Sequence, residues 1–169
     1  INISFLIINF FYVGILTEFH IDESYMSILI LLYTAVQLTV PKLTGIFGEN
    51  NLFRKICVCS GISILLIFSI PLFRSRFVFL PMLLLPTVLS LLSIYFEKYQ
   101  NNHIDRMGYE QQRATVLSCY NMSANIVEIF FLFGSAKLET IQVYDIFTVL
   151  GCVFAAILLL ILIFQTKEK

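Results

Sequence analysis

Apolar residues run through this chain in six long stretches, at 1–19, 26–46, 56–73, 77–96, 114–133 and 146–164, divided by short polar connections. Each stretch is near the length, about 20 residues, that an α-helix needs to cross roughly 30 Å of hydrocarbon. The pattern predicts an all-α polytopic membrane protein whose six transmembrane helices form one bundle. The opening stretch has neither a positive flank nor a small-residue cleavage site, so it does not read as a signal peptide. Because the chain starts at Ile1 rather than Met, the first helix reads as one that has lost its start.

Polar residues inside the stretches distinguish one predicted helix from another. In the fifth, Ser118, Asn121, Asn125 and Glu128 recur at spacings of three, four and three, which places them on one helical face, while Val116, Ile126, Ile129 and Phe133 point elsewhere. An ionisable group in hydrocarbon costs roughly 2.5 kcal/mol or more, so such a stripe is expected to face a cavity or a neighbouring helix. Tyr33, Gln37 and Thr44 share a face of the second helix, and the first carries Asn9, Tyr12 and Thr17. The third offers only serines and cysteines, and the sixth only Thr148 and Cys152. These contrasts predict that helices one, two and five are central, with three and six peripheral or lipid-facing. Pro41, Pro71, Pro81 and Pro86 lie within spans or at their ends, where they free carbonyls and bend helices.

Charge content sharpens the membrane assignment. Only 13% of residues are charged, against about 25% for a soluble domain. Eleven basic residues balance eleven acidic ones, which leaves no basic surplus for nucleic acid. With six spans, Lys42, Arg54, Lys55, Lys98, Arg106, Arg113, Lys167 and Lys169 fall on one side, and Arg74, Arg76 and Lys137 on the other. The positive-inside rule then puts the C-terminus, the 97–112 loop and the loop around Glu49 in the cytoplasm. Four cysteines, Cys57, Cys59, Cys119 and Cys152, sit in or at the ends of apolar segments and read as packing thiols, with no metal or disulfide framework. No His-Glu-x-x-His, Gly-x-Gly-Asp or Ser/His pair occurs inside the spans, so neither an enzyme nor a cofactor is expected.

The run Arg113-Ala-Thr-Val-Leu-Ser118, which opens the penultimate helix after a charged loop, resembles the R-A-T-x-L-S signature of bacterial major facilitator superfamily transporters. Six spans with a cytoplasmic C-terminus are similar to the C-terminal half of such a twelve-helix protein, helices seven to twelve. A second likeness follows the second span: Gly45 and Glu49 fit the family's cytoplasmic gate motif, with Leu52 where glycine is expected and Arg54-Lys55 one residue late. The family often carries Pro-Ser-Glu before the arginine, where this chain has Gly108-Tyr-Glu-Gln-Gln112.

The resemblance implies secondary active transport of a small solute by alternating access, with proton-coupled efflux of drug-like compounds as the candidate activity. It also implies a bacterial plasma membrane location and a missing N-terminal six-helix half. Candidate substrate-binding residues are Asn9, Gln37, Asn121 and Asn125. Glu128, about 22 Å along the helix from Arg113, is the candidate for coupling or for an outer gate. The cytoplasmic motif comprises Gly45, Glu49, Arg54, Lys55, Arg113, Thr115 and Ser118. The rival expectation is a six-helix membrane scaffold or sensor subunit that transports nothing.

Overall fold

A computed structural model describes residues 1, 8, 12, 14–15, 24–46, 51–73, 76–136 and 142–167. Regular structure among them is entirely helical: α1 (Ser24–Gln37), α2 (Val40–Ile46), α3 (Leu52–Leu72), α4 (Phe79–Arg106), α5 (Arg113–Ala136) and α6 (Val143–Lys167). Single 3₁₀ turns, Arg76–Val78 and Glu110–Gln112, lead into α4 and α5.

Four segments among the described residues are long and apolar enough to cross a membrane: Ser27–Gly45, Leu52–Leu72, Phe79–Arg106 and Tyr144–Ile163. Leu31, Leu65, Leu80 and Leu159 stand exposed on them, as side chains that meet lipid do. The chain is a membrane-embedded helical protein. The four segments correspond to the expected spans at 26–46, 56–73, 77–96 and 146–164. The expected span 114–133 forms α5, long enough to cross but outside these four. Span 1–19 lies largely outside the described residues, although Ile8, Tyr12 and Ile15 in it are fully buried and helical.

Two boundaries differ from the sequence reading. The second span is broken: α1 stops at Gln37, and α2 restarts at Val40 after a turn over residues 38 and 39. Pro41 causes the break, because its ring displaces the carbonyl of residue 37 and it has no N–H to donate. Thr39 Oγ1 donates to the Val36 carbonyl at 2.6 Å and Thr44 Oγ1 to the Pro41 carbonyl at 2.7 Å, satisfying backbone around the break. The fourth span, by contrast, runs on for ten residues beyond position 96, through most of the expected loop. Hydropathy marks where α4 leaves hydrocarbon, but Glu97, Lys98 and Gln100 are good helix formers, so backbone hydrogen bonding continues. Beyond its last residue, Arg106, α4 is closed off at Gly108, whose φ of +76 suits glycine. There Tyr109 N–H reaches the Ile104 carbonyl at 3.3 Å and Gly108 N–H the Asp105 carbonyl at 3.1 Å, the paired bonds of a Schellman cap.

The core lies where α3, α4 and α6 meet. Ile67 and Ile70 of α3, Met82, Leu85 and Leu89 of α4, and Phe147 of α6 are fully buried together with Ile8, Tyr12 and Ile15. Tyr12 stacks on Phe147 with ring centroids 6.1 Å apart. α3 packs against both α4 and α6, and α4 also holds α1 and α2. α4 is therefore the hub of the described bundle, and α3, expected at the periphery, packs on α4 and α6 while its Val58, Ile62 and Leu65 stay exposed. In α3, Ser63 Oγ donates to the Cys59 carbonyl at 2.9 Å and Ser69 Oγ to the Leu66 carbonyl at 2.7 Å, so these two serines are satisfied within their own helix. A back-bonded serine packs as a small residue and carries no signal of a wet face.

Candidate functional site

α5 carries the polar stripe, and its geometry is set at its first turn. The Schellman cap turns the chain at Gly108, the 3₁₀ turn Glu110–Gln112 follows, and α5 begins at Arg113. Arg113 Nη2 donates to Asp105 Oδ1, tying the start of α5 to the end of α4 across the connection. Arg113 Nε is buried and makes no hydrogen bond among the described residues. Arg113, named above only as part of the cytoplasmic motif, thus has a specific partner at the start of α5. Sequence reasoning misses Asp105, although an acid eight residues before an arginine on a short helical connection is a readable signal.

From Arg113 the helix is continuous to Ala136, so Ser118, Asn121, Asn125 and Glu128 do form one stripe. Ser118, Asn121 and Asn125 are exposed and Glu128 is half-buried. Apart from the link at its start, α5 makes little contact with the other described helices. Among the described residues the polar face is therefore exposed over about 10 Å, from Ser118 to Asn125. Thr115 is also exposed.

The remaining candidates lie elsewhere. Gln37, half-buried at the end of α1, donates from Nε2 to the Pro86 carbonyl at 3.4 Å. The same carbonyl accepts from Ser90 Oγ at 2.9 Å. Gln37 thus links the end of α1 to α4 at Pro86. Gly45 is exposed on α2, with open space for 4 Å around the point where a β-carbon would stand. Arg54 is exposed and Lys55 half-buried in the first turn of α3, with Lys55 Nζ 5.6 Å from the Tyr95 ring centroid. Asn9 and Glu49 lie outside the described residues. The structure does not gather these candidates into one site: the stripe on α5, the Gln37–Pro86 link and the basic pair on α3 are three separate places.

No protein family, curated protein or solved structure matches the chain. Among the described residues no cluster of His, Cys, Asp and Glu has the grouping a metal ion requires.

The Arg113–Asp105 pair supports a modest prediction. Both side chains are about two-fifths exposed, at 43% and 39%, so water screens the attraction. Asp105→Asn is expected to lower stability by no more than about 1 kcal/mol. The charge-swapped double variant, Asp105→Arg with Arg113→Asp, is expected to recover most of the loss in a detergent melting assay. A loss from Asp105→Asn above about 3 kcal/mol would instead mark a dry, buried pair.

Proposed function

We propose that the chain is one half of a secondary carrier of the major facilitator type, and that its α5 stripe lines the path of a small solute. The open face of α5 is the observation that carries this reading. Ser118, Asn121 and Asn125 are exposed on a helix of membrane-spanning length, whereas Ser63 and Ser69 of α3 are satisfied within their own helix. Polar groups facing lipid would remain unsatisfied, so this face needs water or a second bundle opposite it. A carrier whose two halves rock around a central cavity supplies both in alternation. The two asparagines, midway along α5, are placed to hydrogen-bond a solute. Glu128, farther along, is placed to take up or release a proton as access changes. Cationic, hydrophobic compounds are the class that a single acid on an otherwise uncharged face of a membrane-length helix would favour.

The test is flux through the complete carrier in proteoliposomes, with a fluorescent lipophilic cation as cargo. Saturable flux driven by an imposed pH gradient is expected, and Glu128→Gln is expected to abolish the response to the gradient while leaving downhill exchange. Gradient-driven flux that survives Glu128→Gln would remove the proton role, and no saturable flux of any solute would favour the scaffold.

A further inference from the structure

A groove runs along the membrane-facing surface between α3 and α4, away from the α5 stripe. It has a volume of about 450 Å³ and is lined by Asn51, Arg54, Lys55, Val58, Cys59, Ile62, Leu91 and Tyr95. Its composition is graded. Arg54 and Lys55 stand at one end, and Val58, Ile62 and Leu91 form the walls towards the other. Val58 and Ile62 are 53% and 42% exposed, so an apolar track lies open beside the basic end.

The basic end sits at the level of a membrane interface. Arg54 and Lys55 open α3 on the same side of the α3–α4 hairpin where α4 passes from Phe96 to Glu97 and Lys98. Aromatic rings gather there: Phe53 and Tyr99 lie 6.5 Å apart, and Tyr95 sits beneath Lys55. Aromatic and basic residues together mark the headgroup region. From position 51 to position 62 the groove extends about 16 Å along α3. One leaflet of hydrocarbon is about 15 Å deep. The groove therefore runs from the headgroup level to near the bilayer midplane.

We infer that this groove holds an anionic phospholipid, with its phosphate against Arg54 and Lys55 and an acyl chain along Val58, Ile62 and Leu91. Charge and length both select this occupant. Two cations at headgroup level favour a phosphodiester that carries net negative charge over a zwitterionic one. A free phosphate would leave the apolar track exposed, and an apolar helix from a partner would bring no anion to the basic end. The inference requires only that α3 and α4 lie in a bilayer, and so stands apart from the transport reading.

The test places the complete protein in nanodiscs of phosphatidylcholine and phosphatidylglycerol in equal parts, followed by native mass spectrometry of the lipids retained on gentle release. Phosphatidylglycerol is expected to be retained over phosphatidylcholine by about tenfold, the order that two interfacial cations supply. The R54Q/K55Q variant is expected to reduce that preference to about twofold or less, by the same arithmetic. Because Arg54 is exposed, R54Q alone serves if the double variant does not fold, with a partial loss expected. Ile62→Trp, which fills the apolar track without touching the charges, is expected to lower retention as well. A control removing two other exposed cations, Lys42→Gln with Arg106→Gln, should leave the preference intact. Equal retention of both lipids by the unaltered protein would overturn the inference. So would a control variant that loses as much preference as R54Q/K55Q, since net charge alone would then explain it. Inorganic phosphate that displaces phosphatidylglycerol at millimolar concentration would show an anion site without a lipid, and would overturn it too.

Discussion

Gly151→Leu is expected to lower the stability of the bundle by about 1 to 3 kcal/mol, the usual cost of forcing extra methylenes into a packed core. Gly151 is buried on the face of α6 that meets α3. A β-carbon there would lie 3.0 Å from the ring of Phe68 on α3, where carbon atoms normally stay about 3.5 Å or more apart. In a membrane this approach matters more than it would in water, since lipid is as apolar as the helix surface and association depends on close packing. Gly151→Ala separates two effects. One methyl needs only a small shift of the Phe68 ring, and alanine returns up to about 1 kcal/mol of helix propensity, so this variant should melt within about 1 kcal/mol of the unaltered protein. Leucine cannot be accommodated in that way without parting the helices. Adding Phe68→Ala to Gly151→Leu should recover part of the loss, giving a coupling energy in a double-variant cycle that exceeds the scatter of distant pairs, about 0.5 kcal/mol. Thermal melts in detergent measure it, and a Gly151→Leu protein that melts like the parent would show that α3 and α6 do not meet this closely.

For the carrier proposed above, replacing Asn121 and Asn125 together by leucine is expected to reduce flux at least about tenfold while leaving the melting temperature within error. Two lost hydrogen bonds of about 0.5 to 1.5 kcal/mol each account for a factor of that size. Stability is the discriminating readout. If the two asparagines instead held a neighbouring helix in place, removing them would lower flux and melting temperature together, whereas both side chains are exposed on α5. A purely substrate-binding role predicts a raised KM. An interaction made only in the occluded state predicts a lowered kcat. Flux unchanged in the double variant would take the asparagines out of the solute path and leave Glu128 as the remaining candidate on that face.

The residues differ in how legible they are from sequence. The helical register of the stripe can be read directly, because a continuous helix fixes the positions of residues three and four apart whatever surrounds it. Pro41 announces its break in the same local way, through a missing N–H. Gln37 is legible as an intramembrane polar group but not in its role, since its partner is a carbonyl 49 positions away that only packing brings near. Ser63 and Ser69 of α3 are legible only as small polar residues, and their bonds to the Cys59 and Leu66 carbonyls, which make them neutral for packing, are seen only in the helix itself.

On its own, the amino-acid sequence determined that the chain is helical and membrane-embedded, roughly where its helices begin, and which face of α5 is polar. Those properties follow from hydropathy and from the 3.6-residue repeat, both of which act over a single turn or span. Only the tertiary structure decided that α4 is the hub, that Asp105 anchors Arg113, that Phe68 closes in on Gly151, and that Arg54 and Lys55 head an apolar groove. Each of these depends on which helices become neighbours. In a bilayer that choice rests on packing and a few interhelical polar contacts rather than on hydrophobicity, which every span shares.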